Sequence, residues 1–344
     1  MSVLVVGTGL IGTSVGLALR GIRPVFLLDL DPAALDVALG RGAGDAWTDE
    51  PVDVVLVCTP PAAVAATVDA YAGIGRTYSH VASIQSQVQH ALEDCSVEPA
   101  LVCGGHPLAG RETAGPESAA ADLFLGRPWV LCPSDGTSQQ ALADVRALAV
   151  DCGAVPVVMD AAEHDRTVAL VSHLPQVAAS AVAARLLEGS GGEVSGPGLQ
   201  DTTRVAASDA ELWVEVLTAN AAYVAPLVRE LAADLARMAD ALEYPGRAVV
   251  RDLLERGNRG RALVPVKRGE KDASFTRVSV QVSDEPGQLV ALLSAAADVN
   301  VEDLRVEHLP GRPTGVVDLV VHVDDGPRLA RLLAASGFAV LTRR

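Results

Sequence analysis

Apolar residues open the chain in short uninterrupted runs. Residues 2–6 (SVLVV), 25–28 (VFLL) and 52–57 (VDVVLV) are apolar almost throughout, and 14–20 between the first two has helical spacing. Runs without alternation suit parallel strands covered on both faces. Strands that alternate with helices predict a doubly wound α/β sheet. The pattern continues through 81–84, 100–103, 128–131 and 155–158. It then changes: 161–188 and 209–242 have helical spacing, with a loop at 189–198 between them. Helices this apolar pack around a core or across a dimer interface. An Arg-, Gly- and Lys-rich stretch follows, and alternation returns at 275–282. Next come a turn at Asp284-Glu285-Pro286-Gly287, a helix at 288–297, strands at 301–308 and 315–323, and a helix at 327–336. With a closing strand the order is β-α-β-β-α-β, which is ferredoxin-like. The expected organisation is an α/β sheet domain over 1–158, an all-helical domain over 159–256, a linker over 257–273 and a small α+β domain over 274–344.

Bulk composition narrows the partners. Of 344 residues, 49% are hydrophobic, enough for sizeable cores, yet no uninterrupted apolar run reaches the ~20 residues of a membrane span. The first residues lead straight into a strand with no basic segment ahead of it, so a cytoplasmic protein is expected. The net charge of −16 disfavours nucleic acid and anionic lipid. Lysine occurs only at Lys267 and Lys271, so arginine must supply nearly every cation for an anionic ligand. Cys58, Cys95, Cys103, Cys132 and Cys152 are odd in number and form no C-x-x-C pair, which argues for reduced thiols and against a zinc site.

The first strand runs into Gly7-Thr8-Gly9-Leu10-Ile11-Gly12, a G-x-G-x-x-G turn that opens a helix. The glycines permit a tight turn, close approach of a pyrophosphate and close helix–strand packing, and the helix start offers free N–H groups. A chance glycine turn is the alternative. Asp29, seventeen residues after Gly12 at the end of the second run, favours the dinucleotide. A carboxylate there accepts hydrogen bonds from the ribose hydroxyls and repels a 2′-phosphate, selecting NAD over NADP. Its competing role is to cap the helix after Pro32. Thr59 and Pro60 follow the third run and would face the same cofactor.

A dehydrogenase also needs a proton acceptor. Of seven histidines, His106 stands in GGHPLAG just past the run 100–103, the strand end where α/β sites form. Its flanking glycines would let a substrate approach. Ser83 ends the preceding run and could point into the same crevice, or simply cap a turn. In the helical region, Pro175 within SHLPQ kinks its helix and frees a carbonyl, so polar neighbours there need partners. Arg204 in DTTR could hold a carboxylate through two parallel bonds, or pair with Asp201 or Asp209 on the surface.

Together these segments resemble the prephenate/arogenate dehydrogenase family of tyrosine biosynthesis. The matching motifs are GTGLIGTS at 7–14, GGHPLAGRETAG at 104–115, EHDRTVALVSHLPQ at 163–176 and QDTTRVAASDAELWVEVLTAN at 200–220. The C-terminal segment resembles an ACT domain through DEPGQL at 284–289 and NVEDLRVEH at 300–308. The resemblance implies a Rossmann domain with NAD and oxidative decarboxylation of a cyclohexadienol. The apolar helical region suggests a homodimer, and the ACT-like segment suggests a site for an amino-acid effector such as tyrosine, with a dimerisation module that binds nothing as the alternative. The resemblance makes His106 the acceptor for the C4 hydroxyl proton, with Ser83 orienting it. It gives Arg204 a substrate carboxylate, puts His173 and Gln176 at the side-chain end of the pocket, and sets Asp201 and Trp213 behind Arg204. Two departures stand out. Gln85 replaces the usual lysine after the strand, and Gln176 stands where many prephenate users have histidine. A neutral pocket suits an amino-bearing substrate: arogenate, or 4-amino-4-deoxyprephenate. A non-catalytic NAD and amino-acid sensor is the reading from outside enzymes.

Overall fold

The computed structural model describes residues 1–111, 113–189, 194–243, 246–264, 275–308 and 313–341. The chain forms two compact units, Met1–Ala236 and Arg237–Arg344.

The first unit begins with β1 (Val3–Val6), α1 (Leu10–Leu19), β2 (Val25–Leu28), α2 (Pro32–Gly40), β3 (Asp45–Ala46), β4 (Val52–Val57), α3 (Val64–Ala70), β5 (Gly75–His80), α4 (Ser86–Leu92) and β6 (Val102–Pro107). It continues with β7 (Pro128–Cys132), α5 (Gln139–Asp151) and β8 (Val155–Val158). The sheet order is β3-β2-β1-β4-β5-β6-β7-β8, parallel from β3 to β6, with β7 reversed against β6 and β8 parallel to β7. Val3 and Val5 enter the core on one face and Leu4 and Val6 the core on the other; β4 divides likewise. Burial on both faces is why these strands read as unbroken apolar runs.

One strand differs from the sequence expectation. The run 81–84 is the turn after β5, and β5 itself is the polar-looking GRTYSH segment. Thr77, Tyr78, Ser79 and His80 are all buried there. The Thr77 hydroxyl donates to Asp144 and the Tyr78 hydroxyl to the Tyr71 carbonyl, so polar side chains are tolerated inside. Ser83 consequently lies three residues past the strand.

After the sheet come α6 (Ala161–Val168), a π-helical turn at Ala169–His173 and α7 (Leu174–Ala184). Pro175 has no N–H for the Val171 carbonyl, and the helix widens to a π turn just ahead of it. The helical stretch Ala161–Glu188 is long and apolar enough, at mean hydropathy 1.4, to pass as a membrane span by length and composition. This qualifies the expectation drawn from uninterrupted runs. The same stretch carries buried His164, Asp165 and His173 and serves the site below. Next are α8 (Pro197–Thr203), a 3-10 turn at Arg204–Ala207, α9 (Ala210–Ala219), α10 (Ala221–Glu243) and α11 (Arg247–Ala262). The expected linker therefore starts inside α11, and its part beyond 264, with both lysines, lies outside the described residues.

In the second unit β9 (Phe275–Ser283), α12 (Gln288–Ala295), β10 (Val301–His308), β11 (Thr314–His322), α13 (Gly326–Ala335) and β12 (Ala339–Leu341) form an antiparallel sheet of order β10-β11-β9-β12. Val278, Val280 and Leu319 pack against Leu292 of α12 and Leu329 and Leu333 of α13. The ferredoxin-like order read from the sequence is the order found.

Candidate active site

The glycine turn between β1 and α1 is built for a dinucleotide. Gly7 has φ +103°, a region that excludes most side chains, and a Cβ there would lie 2.8 Å from the Cys58 carbonyl. A Cβ on Gly12 would come 1.9 Å from the Gly7 carbonyl oxygen, so α1 can pack this close only with glycine. Gly9 faces open space within 4 Å, the room a pyrophosphate needs, and among the described residues no side chain caps the N–H groups that follow it at Leu10 and Ile11.

Asp29 does not cap α2; Asp31 does, accepting from Ala33 N–H. The Asp29 Oδ2 accepts from the Thr8 N–H at 2.5 Å and the Thr8 hydroxyl at 2.8 Å, and Oδ1 accepts from the Asp31 N–H at 2.9 Å. A carboxylate oxygen accepts about two hydrogen bonds, so Oδ1 keeps a place for a ribose hydroxyl. At the end of β4 the Thr59 hydroxyl is buried without a partner among the described residues, and exposed Pro60 follows it. An open glycine, uncapped N–H groups and an orphaned hydroxyl at the ends of adjacent strands fit NAD.

His106 lies in β6, two strands across from β4 with β5 between them. Its Nδ1 is 2.8 Å from His164 Nε2, and His164 Nδ1 is 2.8 Å from Asp165 Oδ1. His164 and Asp165, on α6, are buried. The Asp165 carboxylate also accepts the backbone N–H groups of Gln85 and Ser86, both at 2.8 Å. These are orphan donors at the start of α4, whose own N-cap residue provides no side-chain bond. Asp165 thus caps α4 from a helix eighty residues away. Asn220 ties the other side together: its Nδ2 donates to the Asp165 carbonyl at 2.8 Å and lies 3.1 Å from His173 Nδ1.

Electrostatics follow from burial. Loss of water, reinforced by His164, His173 and His80 and opposed by Asp165, holds His106 well below the usual histidine range. Burial first, with His164 adding, holds His80 down to about 4; burial, opposed by Asp165, holds His173 to about 4. Burial alone would raise Asp165, but bonds from His164, Ser86 and Gln85 outweigh it and its carboxyl stays below the ordinary range. His80, His106 and His173 are therefore held as neutral rings beside one buried carboxylate, and His106 keeps a lone pair.

The sequence-predicted residues divide into two groups. His106, His173 and the Gln85 backbone join one hydrogen-bonded assembly, and Trp213 sets its ring edge on His173 at 5.9 Å between centroids. Buried Gln176 follows one turn beyond His173 and reaches Ser180 at 3.4 Å. Half-buried Ser83 sits in the turn before α4. Arg204 and Asp201 are exposed at the end of α8 and its following turn, which packs on α7. Two expectations change. The Gln85 amide donates to the carbonyls of Ala82 at 2.7 Å and Gly105 at 3.2 Å, so it fastens the β5 and β6 ends instead of offering those hydrogens to a substrate. The glycines before His106 serve packing: a Cβ on Gly104 would lie 2.6 Å from Gln85 Oε1, and one on Gly105 2.9 Å from Trp129 Nε1. His164, Asp165 and Asn220 were missed as individuals, although all lie within the quoted motifs. A His-Asp pair inside an apolar helix was the available signal, because buried polar groups need partners.

A doubly wound sheet with a dinucleotide turn, and a neutral histidine near the end of β6 in the same sheet, define an NAD-dependent dehydrogenase. Comparison with known proteins gives the family. Residues 15–158 match the family model "Prephenate dehydrogenase, nucleotide-binding domain" and residues 160–255 match "Prephenate dehydrogenase, dimerization domain". A probable prephenate dehydrogenase, NovF, of Streptomyces niveus is 36% identical over 95% of this chain and 95% of its own. A cyclohexadienyl dehydrogenase of Zymomonas mobilis is 31% identical over 70% of this chain and 88% of its own. The solved prephenate dehydrogenase of Aquifex aeolicus, in complex with hydroxyphenyl propionate and NAD+, superposes with TM-score 0.67 at 25% identity, covering 76% of this chain and 97% of that one. The chain belongs to the prephenate dehydrogenase family.

Proposed function

We propose that this chain oxidatively decarboxylates prephenate or arogenate, giving 4-hydroxyphenylpyruvate or tyrosine. The observation that carries the reading is His106: neutral, at the end of β6, with Nδ1 tied inward and Nε2 left for the substrate. NAD, held by the 7–12 turn, Asp29, Thr59 and Pro60, supplies the acceptor for the two electrons and hydrogen leaving C4. His106 Nε2 takes the C4 hydroxyl proton as that hydrogen departs, and Ser83 orients the hydroxyl. The bond from C1 to its carboxylate breaks, its electron pair enters the ring, and the oxygen recovers its proton as a phenol. Arg204 binds a substrate carboxylate, with Asp201 and Trp213 supporting it. His173 and Gln176 line the side-chain end. Both are uncharged, and this favours a second substrate reading: an amino-bearing one, the 4-amino analogue of prephenate included.

The homodimer follows the same family logic. Leu170, Val171, Val182 and Leu187 are exposed on the helical stretch 161–188, an apolar face for a second copy. In the second unit a cavity of about 790 Å³, lined by Gln281, Ser283, Gln288, Thr314 and Phe338, is the place for an amino-acid effector. The test is NADH formation at 340 nm with NAD and prephenate, arogenate or 4-amino-4-deoxyprephenate, each with and without tyrosine. Turnover of one identifies the substrate. None, with NAD binding intact, refutes the enzyme reading in favour of a sensor.

A further inference from the structure

We propose that His164 and Asp165 are positioning residues that fix the tautomer of His106, leaving its substrate-facing nitrogen bare. The inference rests on the reading of His106 as the base. With His164 taken as a singly protonated ring, the hydrogen-bond directions follow from the carboxylate end. The N–H groups of Gln85 and Ser86 can only donate, and they meet the two oxygens of Asp165 at 2.8 Å each. The carboxylate is therefore held as an acceptor. Its third partner, His164 Nδ1 at 2.8 Å, must donate. A neutral imidazole protonated at Nδ1 has a lone pair at Nε2. That nitrogen lies 2.8 Å from His106 Nδ1, so His106 donates there and its own Nε2 carries no proton.

The chain thus runs one way, from His106 through His164 to Asp165. It resembles the logic by which a carboxylate orients a histidine base, with a second ring interposed. The rings meet edge to face, their centroids 5.1 Å apart, so His106 cannot rotate without losing the contact. When Nε2 takes the hydroxyl proton, the Nδ1–H of the resulting imidazolium already points at an acceptor backed by an anion. The proton remains on Nε2 and returns to the same oxygen as the ring becomes aromatic, so nothing is released to solvent. Asn220, on the Asp165 carbonyl, and the start of α4, on its carboxylate, hold the far end still.

The experiment uses the full-length protein labelled with ¹⁵N-histidine, with NAD bound, and long-range ¹H–¹⁵N spectra of the imidazoles at pH 7.5. His106→Asn identifies the His106 signals. The expected wild-type pattern is Nδ1 protonated and Nε2 bare. His164→Leu removes the acceptor: the His106 pattern should become mixed or reversed. Its kcat should fall ~10²–10³-fold, with KM and the NAD Kd within about threefold, since a wrong tautomer costs up to ~10⁴-fold in a related triad. His164→Gln, whose Oε1 can accept from His106 Nδ1, should recover at least about tenfold of the loss. A wild-type His106 protonated at Nε2 overturns the proposal, and so does a His164→Leu protein with unchanged tautomer and turnover. If the leucine variant does not fold, the wild-type spectrum decides alone. Normal turnover by His106→Asn overturns the base reading, and with it the purpose of the relay; a wrong wild-type tautomer overturns the relay only.

Discussion

Acidification should destabilise the first unit in a window set by histidine rather than by carboxylates. His80, buried beside Gly104, stays neutral in the folded protein down to about 4, against an ordinary value of 6.5. Its folded pKa is lowered, so between those limits the unfolded chain binds the extra proton. The stability contributed by neutral His80 is complete above pH 6.5 and is lost as pH falls towards 4. At about 1.4 kcal/mol per pK unit, the loss is ~3 kcal/mol. Asp53, Asp69 and Asp165, held below 3.8, withdraw their contributions only at lower pH, outside this window. The assay is urea unfolding followed by tryptophan fluorescence, which reports on the fully buried Trp129 of β7. With an m-value of roughly 2–3 kcal/mol/M, His80 alone lowers the midpoint by roughly 1–1.5 M between pH 7.5 and 4.5, and His173 and His106, also held low by burial, add to the fall. His80→Asn, which keeps an acceptor for the Ala82 N–H but does not titrate, should lose a substantial share of that slope. Equal wild-type midpoints at the two pH values, or an undiminished slope in the variant, would refute the reasoning.

Other expectations are direct. His106→Asn should keep NAD affinity and lower kcat by ~10²–10⁴-fold, read from NADH production. Gly12→Ala places a methyl 1.9 Å from the Gly7 oxygen and should weaken NAD binding at least about tenfold by titration calorimetry, while Gly9→Ala, facing open space, should leave the apo fold's melting temperature unchanged. Asn220→Ala leaves the Asp165 carbonyl and His173 short of a partner and should destabilise the protein by about 1–3 kcal/mol in urea. Asp29→Ser should narrow the preference for NAD over NADP in kcat/KM, because the charge that repels a 2′-phosphate is gone.

What could be read from sequence was whatever one local pattern encodes. Unbroken runs gave β1, β2 and β4, alternation gave β9, and three glycines with Asp29 gave the cofactor turn. β5 was hidden because its residues look polar, and Thr77 becomes acceptable inside only beside Asp144, sixty-seven residues away. The same limit explains the site. His106 was found from its strand-end position, but His164 and Asp165 lie nearly sixty residues away, and their roles exist only once α6 lies against the β5–α4 turn. Gln85 shows the reverse error. Its place in a motif suggested a ligand to the substrate, whereas packing directs its amide to two backbone carbonyls.

The cap that α6 places on α4 has a consequence for a shortened polypeptide. In a chain ended before residue 164, α4 would lack the carboxylate that accepts its first two N–H groups and His106 would lack the ring at its Nδ1. Adding His164 and Asp165 closes both defects at once. The glycine turn and the histidine chain are thus completed by different parts of the polypeptide, the second only when α6 is present.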